Sequence, residues 1–206
     1  MMKMYFTKGQ ARGVNYFIRL QIVEGVIKMK NNEKNKVYII SGPAGVGKST
    51  TSKELVKQLK QSAYVSGDDI SHMHINGRLK PWESKEELAL IWNNILSLTK
   101  NFISFGIDIV IDYVTFPEEA KWLSENLVNL DVEVKYIVLW TDNKTLINRD
   151  NMRQPEYRMG DRCLMLVDEF MESNLDKKHL FDTSNNICEI SLVIDEIKEN
   201  QKYKVI

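Results

Sequence analysis

Gly42-Pro-Ala-Gly-Val-Gly-Lys-Ser49 puts three glycines, a lysine and a hydroxyl into eight consecutive residues. The spacing is G-x-x-x-x-G-K-[ST], which suits a polyphosphate. Glycines let the backbone wrap closely around the ligand so that successive N–H groups of Gly42, Pro43, Ala44, Gly45, Val46 and Gly47 and their neighbours can converge on it, proline excepted because it has no N–H. The N-terminus of a following helix adds a favourable dipole for negative charge. Lys48 is expected to reach the β- and γ-phosphates, the Ser49 hydroxyl to ligate Mg²⁺, and Thr50 to complete the loop. ATP and Mg²⁺ are therefore the expected cofactors.

Carboxylates and arginines elsewhere could complete a phosphoryl-transfer site. Asp68 and Asp69 stand just past a short strand, and Asp68 is the candidate base for an acceptor hydroxyl. Asp112 ends another apolar run and is the second candidate for the metal. Arg149, Arg153, Arg158 and Arg162 punctuate one charged segment, with Arg149 and Arg153 on a single helical face, as suits a lid over about 149–162. A turn or helix-cap role for the aspartates, and a solvated face for the arginines, are the alternatives.

Other nucleotide chemistry fits less well. Asp142-Asn-Lys-Thr-Leu146 has Leu where a guanine-reading loop needs a carboxylate. Asp112 is followed by Tyr113 rather than by the Glu that activates water in many ATPase motors. His72, His74, Arg78, Lys80 and Trp82 fall together and could form an acceptor site for a polar or anionic molecule, but two histidines without a third ligand make no metal site.

The elements that must position these groups alternate. Val37-Tyr-Ile-Ile40 reads as a buried strand before the loop, and Ser49 to Lys60 as a helix carrying Leu55, Val56 and Leu59 on one face. Ala63-Tyr-Val65 is a second strand, followed by a polar segment through Pro81. Leu88, Ile91, Trp92, Ile95, Leu96, Thr99, Phe102 and Phe105 recur at helical steps until Gly106. Ile107 to Ile111 is the third strand, and Pro117 opens a helix. Val132 to Trp140 is the fourth strand; a helix begins near Asn143, another spans Cys163 to Leu175, Leu180-Phe181 is a weak fifth strand, and a helix over Glu189 to Glu199 closes the domain. The expected fold is α/β: three layers around a five-stranded parallel sheet, with a short lid and with ligands at the carboxyl ends of the strands.

Composition bounds the rest. Lys plus Arg and Asp plus Glu are both 28, so no charge excess points to nucleic acid, and a small molecule is the expected partner. No run approaches the ~20 apolar residues of a membrane helix, and Val14 to Ile27 is interrupted by Arg19 and Glu24, which argues against a signal peptide. A cytoplasmic monomer or weak homodimer is expected. Cys163 and Cys188 lie far apart without ligand spacing and are read as reduced and buried.

The order Gly-Pro-Ala-Gly-Val-Gly-Lys-Ser, Gly67-Asp68, Asp112 at a strand end, Arg149-x-x-x-Arg153 and Asp182-Thr-Ser184 resembles the gluconate kinase and shikimate kinase group of small P-loop kinases. The resemblance covers Lys36 to Glu199, extends to AAA_33, chloramphenicol phosphotransferase-like and zeta-toxin-like proteins, and is nearest to gluconate-kinase-like proteins of bacilli. It implies that Asp68 is the acceptor-side base, Arg149 stacks on adenine, Arg153 contacts phosphate, and Asp182 to Asn185, with Thr183 and Ser184, borders the adenine pocket. Asp69-Ile-Ser-His-Met-His74 departs from the gluconate kinase pattern, so the acceptor does not carry over. An ATP-binding regulator without efficient phosphotransfer, and a kinase of antibiotic-resistance or toxin type, stay open beside a metabolic kinase.

Residues 1–30 lack clean periodicity and are read as an extension outside the kinase domain of 31–206. Glu24-Gly25-Val26 can be encoded by GAAGGAGT, which resembles a bacterial ribosome-binding sequence, and this makes Met29 a candidate start.

Overall fold

The computed structural model describes residues 34–184 and 189–205, so the expected extension and its Met29, as well as Asn185 and Cys188, lie outside the described residues. Five strands, β1 (Asn35–Ser41), β2 (Ser62–Ser66), β3 (Asp108–Asp112), β4 (Val132–Trp140) and β5 (Leu180–Asp182), form one sheet. Every pairing between them is parallel, and the order is β2-β3-β1-β4-β5. The central place of β1 follows from its residues: Val37, Tyr38, Ile39 and Ile40 are wholly buried, as a strand covered on both faces must be.

Alternation along β1 divides the core in two. Val37 and Ile39 join Ile109, Ile111 and Val138 on one face, under the long helix α3 (Lys85–Ser104) and α4 (Pro117–Leu127). Tyr38 and Ile40 join Val110, Ile137 and Leu139 on the other, under α1 (Lys48–Gln58), α5 (Asn143–Asn151), α6 (Arg162–Glu172) and α7 (Ile190–Glu199). The three-layer architecture is thus written in the period-two burial of the strands.

One expectation is corrected. The stretch after β2 is not simply a polar segment: Gly67–Met73 forms the helix α2, capped by the Ser66 hydroxyl, which accepts from the Asp69 amide at 3.1 Å. Two acidic residues in its first turn favour the helix through its dipole. Seven residues are too few to show an apolar stripe, which is why periodicity misses it.

Lys135 is fully buried on β4, and its ammonium donates to the carbonyls of Ile197, Lys198 and Asn200 at 3.2, 2.6 and 3.2 Å. It satisfies the orphan acceptors at the end of α7 and thereby docks that helix on the sheet.

Candidate active site

The strand β1 ends in the glycine loop, and α1 begins within it at Lys48. Gly42 has φ +129°, and a Cβ there would meet the Leu139 carbonyl oxygen at 2.3 Å, so no other residue fits where the loop leaves the sheet. The Lys48 ammonium is folded over the loop, donating to the carbonyls of Gly42 and Pro43 at 3.0 and 3.1 Å. A cleft of about 480 Å³ opens above, lined by Gly45 to Thr51, by Arg149 and Arg153, and by Thr183, Ile190 and Val193.

Most of the nucleotide-binding residues expected from sequence therefore share one cavity. Gly42, Pro43 and Ala44 are buried behind the loop, and they are not among the residues that line the cleft. Ser184 is not among them either: its hydroxyl accepts from the Asp142 amide at 3.2 Å, tying two loops together. Thr51, Ile190 and Val193 are the contributions that sequence reasoning missed. The amphipathic stripe of α7 carried the signal, but a stripe does not say which residues face a ligand rather than the core.

Lys48 brings the remaining groups into relation. Burial lowers its pKa, Asp112 and Asp68 oppose that effect, and Arg153 adds to it, so two acids and a second cation all lie within electrostatic range of the amine. Asp68 is exposed on the surface, and desolvation by the groups around it raises its carboxyl above the usual carboxylate range. Lys48 works against the rise, while Asp112 and Asp69 add to it. A raised pKa near a phosphate-loop lysine makes Asp68 a candidate for proton abstraction from a hydroxyl.

The position of Asp68 depends on its neighbour. A Cβ on Gly67 would lie 2.2 Å from the ring of Tyr113, which is itself buried, so glycine allows Tyr113 to pack directly against the start of α2. Tyr113 in turn meets Trp92 edge-on at 5.9 Å. The Asp that opens the site thus rests on an aromatic floor.

Arg149 lies in α5 and donates to the Val46 carbonyl at 3.1 Å, bracing the loop from outside. Between α5 and α6 the chain makes an irregular excursion whose base is closed by Asp150. This buried carboxylate accepts from the amides of Met159 (3.1 and 3.0 Å) and Gly160 (2.9 Å) and pairs with Arg153 at 3.5 Å. Arg158 bonds the Arg153 carbonyl at 3.0 Å. Arg162 pairs with Glu169 and stacks over Trp82 at 5.6 Å.

The other candidates are engaged as follows. His72 Nδ1 bonds the Asp68 carbonyl at 2.6 Å, and His74 bonds the buried Glu87 at 2.9 Å. Arg78 is anchored through Nε to the Ser71 carbonyl and hydroxyl, both at 3.0 Å. His179 is buried against the Tyr136 carbonyl at 2.9 Å, and desolvation lowers its pKa, as befits a structural histidine. Cys163 is buried with a free thiol that burial and then Asp150 push up to about 11.

Ser49, the residue after Lys48 at the start of α1, and the buried Asp112, at the end of β3, are the two residues that the sequence suggested for a cation. Among the described residues no cluster of three or more His, Cys, Asp or Glu could hold a metal by itself. Among the same residues, no helix is long and apolar enough to cross a membrane.

The family model AAA_33, an AAA domain, matches residues 37–165, more than half of the chain. No curated protein sequence matches it. Among solved structures, an unliganded sugar kinase from Janibacter sp. HTCC2649 superposes with a TM-score of 0.58 at 12% identity, covering 80% of this chain and 92% of that one. The APS kinase of Mycobacterium tuberculosis, in complex with AMPPNP and APS, superposes with 0.57 at 16% identity, covering 81% and 96%. A gluconokinase from Sinorhizobium meliloti 1021 gives 0.52 at 14% identity, covering 80% and 91%. At such identities the likeness is one of fold, that of the small P-loop kinases.

Proposed function

The chain belongs to the AAA_33 family, and on that premise we propose that it is a cytoplasmic, ATP-dependent kinase that phosphorylates a hydroxyl of a small polar molecule. The observation that carries the reading is the glycine-loop cleft, which brings Lys48, Ser49, Arg149 and Arg153 together, with Asp68 and Asp112 within electrostatic range of Lys48. An acid of raised basicity near the phosphate lysine favours proton transfer over mere nucleotide holding.

In this reading the triphosphate lies along Gly45 to Thr50, and the base enters the cleft beside Thr183, Ile190 and Val193. Arg149 lies against the adenine. Asp68 takes the proton of the acceptor hydroxyl as its oxygen bonds to the γ-phosphorus. The bond from that phosphorus to the β–γ bridging oxygen breaks, and ADP leaves with the electron pair. Lys48 and Arg153 offset the charge on the phosphoryl oxygens throughout. Ser49 and Asp112 would hold magnesium, which would supply positive charge against the phosphates. The acceptor is assigned to the neighbourhood of Asp68, the base in this reading.

A coupled ADP-release screen across sugars, sugar acids, nucleosides and aminocyclitols tests the proposal. Acceptor-dependent ADP release is expected for at least one class. ATP binding with no release above the hydrolytic background across the screen would favour a regulatory ATP-binding protein instead.

The 152–161 excursion acts in this reading as the lid. ATP is expected to slow amide exchange over 152–158, most at Gln154 and Glu156, and less at Met152, Arg153, Arg158, Met159 and Gly160, whose amides already have hydrogen-bond partners. Equal exchange over 152–158 with and without ATP would mean that these residues belong to a fixed surface.

A further inference from the structure

Tyr64 has no part in the site as described, yet its phenol lies where the two candidate metal-holding groups meet. Its hydroxyl donates to Asp112 Oδ2 at 2.6 Å. The Ser49 hydroxyl is a second polar neighbour of the same phenol oxygen. The ring is held from the α1 side by Lys53, whose ammonium stands 5.7 Å from the ring centroid. A hydrogen bond thus ties β2 to the end of β3, with the Ser49 hydroxyl of α1 close by.

The phenol proton, given to one oxygen of Asp112, fixes the plane of a carboxylate that could otherwise rotate. Partners that orient metal ligands in this way are known to govern metal affinity without touching the ion.

We infer that Tyr64 is a positioning residue for magnesium: its hydroxyl, bonded to Asp112 beside Ser49, holds that carboxylate in the orientation that the cation of the nucleotide complex needs. The inference rests on the proposed nucleotide-binding role of the loop. It assigns no direct contact between Tyr64 and the nucleotide.

Tyr64→Phe keeps the ring beside Lys53 and removes only the hydroxyl. Titration calorimetry of the full chain with a non-hydrolysable ATP analogue, in EDTA and across a magnesium series, separates the possibilities. For the wild type, magnesium is expected to tighten binding. For Tyr64→Phe, affinity in EDTA should be unchanged, and the magnesium midpoint should move to roughly ten- to a hundredfold higher concentration. An unshifted midpoint would overturn the inference and leave the proposed function standing. An equal loss of affinity with and without magnesium would also overturn it, by assigning Tyr64 to packing of the loop. Absence of any magnesium-linked gain in the wild type would overturn the inference and the metal assignment of the proposed function together.

Discussion

Asp68→Asn is expected to lose phosphotransfer by about 10²- to 10⁴-fold, the range for removal of a general base, while ATP affinity is retained. Asparagine keeps the shape of the side chain and its hydrogen-bonding reach, and removes the group that accepts the proton. The local structure should not suffer, because the cap of α2 is the Ser66 hydroxyl and not either aspartate. Stability separates the roles further. Folding raises the Asp68 pKa, chiefly by desolvation, so the ionised carboxylate is disfavoured in the folded protein at neutral pH. That penalty is relieved as the pH falls through the raised pKa and is gone once both states are protonated. The variant should therefore melt no lower than the wild type at neutral pH, and its advantage should shrink in acid. Turnover within a few-fold of wild type, on any acceptor that the screen finds, would pass the role of base to Asp69 or to another group.

Lys48→Ala is expected to weaken ATP binding by about 1.5–3 kcal/mol, the range for a hydrogen bond to a charged group. This corresponds to roughly ten- to 150-fold in dissociation constant. The ammonium has two carbonyl partners, Gly42 and Pro43, and a nucleotide bound as proposed would take their place. Its removal has a second consequence. Lys48 is the main group that holds the Asp68 pKa down, so residual activity in the variant should decline at a higher pH on the acid side than in the wild type. Calorimetry and a pH–rate profile check the two effects separately. Unchanged ATP affinity would remove the phosphate-loop assignment.

Arg149 and Arg162 show how far a linear reading of the lid reaches. The charged segment stands out in sequence, but its ends belong to helices: Arg149 lies within α5 and Arg162 opens α6. Charge spacing reports a solvated or ligand-facing segment without saying where the backbone leaves the helix. The clamp that does decide this, Asp150 on the amides of Met159 and Gly160, joins residues nine and ten positions apart and follows no helical period. Similarly, His72 and His74 form a close pair in sequence but turn to different partners, Asp68 and Glu87.

The amino-acid sequence by itself determined the glycine loop with its flanking strand and helix, the parallel α/β class, and the limits of strands such as Val132–Trp140. These rest on contiguous residues: a glycine spacing is a local backbone requirement, and burial on both faces makes a continuous apolar run. It also marked Asp68, Asp112 and Arg153 as chemically able. Only the tertiary structure decided which of them meet. The order β2-β3-β1 puts the end of β3 between the end of β2, which precedes Asp68, and the loop, so that Asp112 and Asp68 both come within electrostatic range of Lys48. Gly67 became intelligible through Tyr113, and Tyr64 through an aspartate 48 residues away. Such contacts are fixed when crossover helices bring distant strand ends together, and no local period in the chain records that choice.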